Sequence, residues 1–356
     1  MKLSTTNDSN REQMCLNTLS SLTFSQPTTK SIGDEICTKN NINTQFNKVL
    51  IIGLGQLGLP VARYVNERGF DTYGYDISNK AIDRAEKTTG VKKAINFGEF
   101  DAYIICVSTH KPDDIFSPQI DGLLSIVEKI SKEAKSGALV SIESTIPKGT
   151  SKKVFDILEH RMHVVHAPHR WYSLEEKEHG VNQLRVIGGV CECCIKAGMQ
   201  FYKGVGSVNV NGSVNVNGQS YSSPYSTKSL GIPMHPVTNI EIAEITKIAE
   251  NAHRYLQIAF AEDLYLYCQA NNLNFPELRD ALNTKWNVEI LEPREGIGGH
   301  CLPKDTKMFL QSSNRRQNKI LKAAMDVDEE YKRFRAKLEK QIKSANIERV
   351  RSPKSQ

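Results

Sequence analysis

Short apolar runs alternate with helix-like stretches through the first half of the chain. The apolar runs are short and continuous, as in strands that are buried on both faces. They occupy residues 49–52, 70–75, 102–107 and 138–142. Helix-like stretches at 78–87 and 123–134 lie between them. Strands that alternate with helices pack as a parallel sheet, so the pattern predicts an α/β fold with a doubly wound sheet.

The hydrophobic period becomes helical after residue 239. Ile242, Ile245, Ala252 and Ala259 belong to a set of apolar residues that recur every three to four positions. This period predicts one long helix over 240–270 with a single buried stripe. Pro276 suits the first turn of another helix, because its missing N–H is not needed there. A Gly/Pro-rich loop follows at 292–303, and helix-like sequence resumes at about Lys304.

These changes of pattern divide the chain into four predicted parts. They are a polar, disordered leader at 1–45, a sheet domain at 46–232, a helical domain at 233–330 and a basic tail at 331–356. Within the sheet domain, residues 204–229 have low complexity, and SVNVNG occurs twice in tandem there. Two copies are too few for a solenoid, so we expect an inserted loop or hairpin.

The distribution of charge and of apolar residues argues against nucleic-acid and membrane partners. The net charge is +6, but residues 311–356 alone hold 13 Lys and Arg against 6 Asp and Glu. The rest of the chain is therefore nearly neutral, and we expect no nucleic-acid partner. No apolar stretch reaches the roughly 18 residues of a membrane span, so we also expect no membrane partner.

The cysteines do not form a disulfide framework. The eight cysteines show no paired CxxC spacing, and the N-terminus lacks the apolar core of a secretory signal. This usage favours a reducing compartment, and we expect a cytoplasmic protein.

The segment Gly53-Leu54-Gly55-Gln56-Leu57-Gly58 directly follows the first predicted strand. Glycines at this spacing allow a tight turn, close approach of a pyrophosphate and packing of helix on strand. Asp76 ends the second strand, where a carboxylate binds ribose hydroxyls and favours NAD over NADP. The predicted cofactor-binding residues lie in this turn and at the ends of the following strands, and they are Gly53, Gly55, Gln56, Leu57, Gly58, Asp76, Ser108, Thr109 and Thr145.

A second glycine-rich loop, GIGGHCLPKD at 296–305, contains a cysteine just before a predicted helix. A helix N-terminus stabilises a thiolate, so Cys301 has a route to a lowered pKa. Asp305 lies one turn further on, where its carboxylate could orient a water molecule. An inert buried thiol is the alternative.

At this point the sequence resembles the UDP-glucose/GDP-mannose dehydrogenase family, most closely its UDP-N-acetylmannosamine dehydrogenase branch. The resemblance runs from about Lys48 to Tyr331, with the motifs in the family's order. They are GLGQLGLP, the CVST strand end, ESTIPKGT, RVIGG, AEITKIAENAHR and GIGGHCLPKD. It implies a Rossmann-type sheet domain followed by an all-helical segment for dimerisation and catalysis.

The resemblance also implies a chemistry. The family oxidises the C6 alcohol of a nucleotide sugar to a carboxylate in two NAD-dependent steps. Cys301 would capture the aldehyde as a thiohemiacetal, which becomes a thioester. Lys247 would act as an acid/base or stabilise the oxyanion, and Asn251 would hold the sugar oxygen. Asp305 and Thr145 match the pair that positions water, and the central helix implies a homodimer. Substrate contacts are expected from His169, Arg170, Trp171, Lys247, Asn251, Arg254 and Gly298.

Two departures from the family pattern concern the substrate. The family has Pro-Glu-Arg where this chain has Pro168-His169-Arg170, so an imidazole replaces a carboxylate. Family members also continue into a C-terminal domain that grips the nucleotide, and nothing after residue 330 resembles it. We therefore expect a shortened form in which nucleotide recognition comes from a partner chain, is weakened or is absent.

No metal site is expected. His160, His163, His166 and His169 recur at every third position, a spacing that scatters their rings. Cys191, Cys193 and Cys194 have no matching second pair.

The sequence therefore predicts an NAD-dependent nucleotide-sugar 6-dehydrogenase acting on a UDP-N-acetylhexosamine. Two alternatives stay open. A two-domain hydroxyacid dehydrogenase of the 6-phosphogluconate type would share the architecture but would not need Cys301. A protein that binds NAD or a nucleotide sugar but has lost catalysis would fit His169 and the expected shortening.

Overall fold

The computed structural model describes residues 45–111, 113–114, 117–171, 176, 179–203, 228–312 and 318–351, with side chains described through 344. The predicted leader (1–45) and low-complexity segment (204–229), including the SVNVNG repeats, lie outside the described residues, except for position 45 and positions 228–229.

Within the described part of the chain, the strands form one sheet in the order β3-β2-β1-β4-β5-β6-β7-β8. Every neighbouring pair is parallel except β6 and β7. The strands are β1 Lys48–Ile52, β2 Asp71–Tyr75, β3 Lys92–Lys93, β4 Ala102–Ile105, β5 Leu139–Ile142, β6 His163–His166, β7 Arg185–Gly189 and β8 Met234–Val237.

Helices connect these strands and then take over the chain. The first five are α1 Gly58–Glu67, α2 Asn79–Thr89, α3 Asp121–Glu133, α4 Thr150–Ile157 and α5 Glu192–Tyr202. The helices of the second half are α6 Ile240–Ala270, α7 Phe275–Asn283, α8 Cys301–Ser312 and α9 Lys319–Arg351.

The predicted fold class is confirmed, with one difference at the edge of the sheet. Strands β1 to β6 form the expected parallel core of buried residues such as Leu50, Ile104 and Val140. Strand β7 instead runs antiparallel to β6. The apolar pattern could not reveal this reversal, because a strand buried on both faces reads the same in either direction.

The long helix α6 has the predicted bounds because its start is encoded locally. The Asn239 side chain accepts a hydrogen bond from the Glu241 N–H and caps the helix. Helix α7 begins in the same way at Asn274, with Pro276 in its first turn. Helix α8 begins at Cys301 rather than near Lys304, since Pro303 in the first turn is compatible with a helix. None of the described helices is long and apolar enough to cross a membrane.

A buried carboxylate joins α6 to the sheet domain. Glu244 has no exposed surface and accepts hydrogen bonds from the N–H groups of Gly149 and Ser151 at 2.6 and 2.7 Å. These donors lie at the start of α4, where N–H groups have no partner within the helix. The contact holds the beginning of α6 against the carboxyl ends of the central strands.

The turn between β1 and α1 depends on Gly58. A Cβ atom there would lie 1.7 Å from the carbonyl oxygen of Gly53, whereas a Cβ at Gly55 would meet nothing within 4 Å. We therefore expect Gly58→Ala to lower the free energy of unfolding by about 2 kcal/mol or more. Gly55→Ala is the matched control and should change it by less than about 1 kcal/mol. Urea unfolding measures both, and equal effects would contradict this account.

Candidate active site

The glycine turn and Asp76 form one side of a cleft at the carboxyl edge of the sheet. Gly53 has a φ of +88°, and its N–H bonds to the carbonyl of Tyr75 at 2.8 Å. The Asp76 carboxylate accepts the N–H groups of Leu54 and Ser78 at 2.7 and 2.8 Å. Gly55 and Gln56 are exposed, so the turn that leads into α1 is open to a ligand. An open backbone beside a carboxylate fits the pyrophosphate and ribose of NAD.

Strands β4 and β5 contribute the next predicted residues along this edge. Thr109 is buried, and its hydroxyl donates to the backbone carbonyl of Thr145 at 2.7 Å. Ser108 is exposed and its Oγ lies 2.8 Å from Nδ1 of His110. The structure thus brings together Ser108, Thr109 and Thr145 as expected.

A chain of polar contacts then crosses from the sheet to the helical segment. The Lys304 ammonium donates to Thr109 Oγ1 at 3.3 Å and forms an ion pair with Asp305 at 2.7 Å. The other Asp305 oxygen accepts from the Asn251 amide at 2.5 Å. Lys304 and Asp305 are both almost fully buried. This contact chain, Thr109–Lys304–Asp305–Asn251, unites three predicted site residues with one, Lys304, to which the sequence patterns assigned no role.

The loop before Cys301 is fastened to the last helix. Asp328 of α9 accepts hydrogen bonds from the Ile297 N–H at 3.0 Å and from the Tyr255 hydroxyl at 2.7 Å. Lys332, one turn later, donates to the Ile297 carbonyl at 3.0 Å. Gly298 follows in an exposed position, where an added Cβ atom would meet nothing within 4 Å. These bonds fix the entry of the chain into α8.

Cys301 begins α8 and is exposed, but its thiol is not activated in the way that its position suggests. Protein packed around the sulfur and the nearby Asp305 carboxylate raise the pKa of Cys301 above its ordinary value. Lys304 and Lys247 oppose this increase but do not reverse it. The expectation of a lowered pKa from the helix N-terminus is therefore wrong. The His300 ring lies next to the thiol, at 3.6 Å from Nε2 to Sγ.

Lys247 lies within electrostatic reach of two predicted site residues. Its ammonium lowers the pKa of the Cys301 thiol and also lowers that of His169. It is one helical turn before Asn251 on α6, so both side chains project from the same face of that helix. The predicted pair of Lys247 and Asn251 is therefore held beside Cys301.

His169 is buried and paired, not exposed to solvent. Its Nε2 makes a short contact with a carboxylate oxygen of Glu143. Burial and the nearby Arg185 lower the pKa of His169 to about 4, against the opposing influence of Glu143. The imidazole is therefore neutral at physiological pH. The negative charge that His169 itself does not carry is supplied by Glu143 behind it.

The other predicted substrate-contact residues, Arg170, Trp171 and Arg254, differ in exposure and in their contacts. Arg170 forms a two-pronged ion pair with Glu250 and donates to the Leu184 carbonyl at 3.0 Å. Arg170 is thus engaged by protein groups and not directed at open solvent. Trp171 is partly buried, and Arg254 is exposed on α6, where it contacts Gln257.

Four residues of the site were not predicted from the sequence, namely Glu143, Lys304, His110 and His300. Three of them lie inside motifs that had already been singled out, Glu143 in ESTIPKGT and His300 and Lys304 in GIGGHCLPKD. Their position within these motifs could therefore have indicated that they belong to the site. His110 had no such signal, and its ring is brought 5.6 Å from that of His300 only by the fold.

The histidine run is distributed as its spacing predicts. His163 and His166 lie on β6, three residues apart and hence on opposite faces. The cysteines bring one contact that the spacing did not indicate. Donor atoms of His163, Cys193 and Cys194 lie within 4.8 Å of one another. The expectation of no metal site therefore stays a prediction.

The raised thiol pKa has a measurable consequence, because the thiolate is the reactive form. Alkylation of Cys301 by iodoacetamide should accelerate about tenfold per pH unit up to at least about pH 8.5, the ordinary thiol pKa. Lys247→Met should slow alkylation further at a given pH, since it removes a nearby positive charge. Peptide mapping by mass spectrometry measures the rate at Cys301 alone. A rate that is already constant above neutral pH would show a lowered pKa and contradict this interpretation.

Comparison with known proteins agrees with this geometry. The NAD binding domain model of the UDP-glucose/GDP-mannose dehydrogenase family matches residues 83–205. The central domain model of the same family matches residues 241–330, which include Lys247, Asn251, Cys301 and Asp305.

Individual relatives extend the match over most of the chain. A UDP-N-acetyl-D-mannosamine dehydrogenase of Campylobacter jejuni is 30% identical over 334 residues, covering 84% of this chain and 76% of its own. One of Methanococcus maripaludis is 29% identical over 80% of this chain, which spans 65% of that relative's length. A solved UDP-D-ManNAc dehydrogenase from Pyrococcus horikoshii aligns with a TM-score of 0.68 at 26% identity, over 84% of this chain and 72% of its own. The chain belongs to the UDP-glucose/GDP-mannose dehydrogenase family and contains that family's NAD-binding domain.

Proposed function

We propose that this chain carries the NAD-dependent oxidation of the C6 alcohol of a nucleotide sugar to a carboxylate. The observation that carries the proposal is the contact chain Thr109–Lys304–Asp305–Asn251, which places the helical segment's polar side chains at the carboxyl edge of the sheet. Cys301 and Lys247 lie beside it, so a sugar held against Asn251 would be within reach of a thiol and an ammonium.

NAD, when bound at the glycine turn, accepts one hydride in each oxidation. Lys247 stabilises the negative charge that appears on the sugar oxygen when the C6 hydroxyl gives its proton to solvent, and that charge forms the carbonyl as the hydride leaves. The Asn251 amide donates a hydrogen bond to the same oxygen. Its orientation is fixed because its other contact is the buried Asp305 carboxylate.

Cys301 explains how the intermediate aldehyde is kept on the protein. The thiol loses its proton and adds to the aldehyde carbon, which forms a thiohemiacetal. Loss of the second hydride gives a thioester, and water then displaces the thiol and provides the second carboxylate oxygen. A resting thiol with a raised pKa needs a base at the moment of addition. Lys247 in its amine form would take the thiol proton and return it to the aldehyde oxygen as the thiohemiacetal forms.

The buried Lys304 ammonium fixes the orientation of the Asp305 carboxylate for its role in the reaction. One carboxylate oxygen faces Lys304 and the other faces Asn251, with little solvent access. Lys304 is thus a positioning residue for Asp305, which would orient water toward the thioester. The substrate proposed is a UDP-N-acetylhexosamine, supported by the similarity to UDP-N-acetyl-D-mannosamine dehydrogenases.

The stoichiometry of NADH tests the proposal. The purified protein is incubated with NAD and a panel of UDP-sugars that includes UDP-N-acetylmannosamine, while absorbance follows NADH. We expect two NADH per sugar oxidised. Cys301→Ala should lower this to one or none, since the aldehyde can no longer be captured. Cys268→Ala, at a buried cysteine distant in sequence from Cys301, is the matched control and should retain two.

Two other outcomes would replace the proposal. One NADH per substrate that survives Cys301→Ala would indicate a hydroxyacid dehydrogenase of the 6-phosphogluconate type. NAD binding in calorimetry without turnover of any sugar would indicate a protein that has kept the site and lost catalysis.

We also propose that two copies of the chain pair through α6. Ile242, Phe260 and Tyr267 are each about half exposed and project from one side of this helix. Ile245 and Ala249 extend the same stripe and line a surface groove together with Lys148 and His253. A stripe of this length on a helix is more than scattered surface apolarity and fits a self-complementary interface.

The interface can be tested by charge insertion. Ile242→Asp and Phe260→Asp should each convert a dimer to a monomer, because a buried unpaired carboxylate is strongly unfavourable. Light scattering after size-exclusion chromatography measures the mass. Ile95→Asp, at a residue that is 94% exposed near β3, is the matched control and should remain dimeric. A monomeric native protein, or dimers in all variants, would contradict this interface.

A further inference from the structure

We propose that Glu143 is a positioning residue that acts through His169: it accepts a hydrogen bond from the Nε2–H of the ring, which keeps the proton on Nε2 and leaves Nδ1 as a neutral hydrogen-bond acceptor for the reacting substrate or water. The inference rests on the proposed function, since it assigns a role within the same site. It concerns the position at which the family's Glu is replaced by His in this chain.

The Glu143 carboxylate is held from several directions. One oxygen forms an ion pair with Arg185 at 3.0 Å and accepts the Tyr202 hydroxyl at 2.5 Å. Ser141 lies 2.6 Å from that hydroxyl and extends the network. The second oxygen faces His169. All of these side chains are almost fully buried, so the carboxylate cannot turn away from the ring.

The contact decides which nitrogen of His169 carries the proton. Burial favours a raised pKa for Glu143, but Arg185 and His169 outweigh it and hold the pKa at about 2, so the carboxylate is ionised and only accepts. A neutral imidazole must then carry its proton on Nε2. Its Nδ1 consequently presents a lone pair. Nδ1 is buried and has no hydrogen-bond partner among the described residues.

The surroundings suit an acceptor rather than a cation. The charged groups that act on His169 are the negative Glu143 and the positive Arg185 and Lys247. Two positive neighbours and burial keep the ring neutral, and Glu143 alone favours protonation. Lys247 also acts on Cys301, so the imidazole and the thiol share one neighbour at the reacting centre. An O–H group of the sugar or of attacking water between them would donate to Nδ1.

The tautomer can be read directly by nitrogen NMR on histidine-labelled protein near pH 7, with His169→Gln used to assign the signals. In the native chain we expect a protonated Nε2 and an unprotonated Nδ1 for His169. Glu143→Gln should change both shifts, because a glutamine amide can either donate to or accept from Nε2. Tyr202→Phe is the matched control. It removes another contact of the same carboxylate and should leave the His169 shifts unchanged.

Steady-state kinetics of Glu143 variants distinguish a role in positioning His169 from a role in folding alone. Glu143→Gln should lower kcat on the order of 100-fold while the KM values for sugar and NAD change little. Glu143→Asp keeps the charge and should recover part of the loss. If the glutamine variant does not fold because Arg185 is left unpaired, the Glu143→Gln/Arg185→Met variant is measured instead.

Two results would overturn the inference. One is a native His169 protonated on Nδ1, and the other is a folded Glu143→Gln protein in which both His169 nitrogen shifts are unchanged. Because the tautomer is measured without substrate, it stands apart from the proposed function. Absence of NADH formation from every sugar would defeat that function, while the NMR result would still decide the role of Glu143.

Discussion

The site depends most on one buried ion pair, between Lys304 and Asp305. It joins two neighbouring residues at the start of α8, but its other contacts reach Thr109 at the sheet edge and Asn251 on α6. Removing one member of such a pair leaves an uncompensated buried charge, at a cost of about 3–5 kcal/mol. The pair therefore does more than stabilise α8, because it sets the distance between the sheet edge and the helical segment.

Buried carboxylates recur wherever the helical segment meets the sheet, and each is satisfied in a different way. Glu244 accepts hydrogen bonds from backbone N–H groups at the start of α4. Glu143 forms an ion pair with Arg185 and hydrogen-bonded contacts with Tyr202 and His169. Taking a charge out of water is unfavourable unless it is paired and hydrogen-bonded, so these contacts leave the groups few alternative positions. A site that needs its acceptors fixed in direction is well served by this arrangement.

The resting electrostatics differ from what a local view of each residue suggests. A cysteine at a helix start is expected to ionise easily, but packing and Asp305 raise the pKa of Cys301. A histidine in place of a glutamate suggests a base that works near neutral pH, but burial and Arg185 lower the pKa of His169 to about 4. In both cases the neighbours that decide the outcome lie on other elements of the fold or further along the same helix.

The sequence alone was enough to predict the alternating strands and helices, the glycine turn and the bounds of α6. These features depend on interactions over a few residues, such as the hydrophobic period and the capping of α6 by Asn239. Many of the residues gathered at the site, such as Cys301, Asn251 and Asp305, were also predicted, since their motifs lie in the sequence itself. Only the tertiary structure decided the antiparallel β7, the pairing of His169 with Glu143, and the reach of Lys304 to a hydroxyl 195 positions away. Those contacts join residues far apart in the chain, and both the direction of a strand and the pKa of a buried group depend on what packing places beside them.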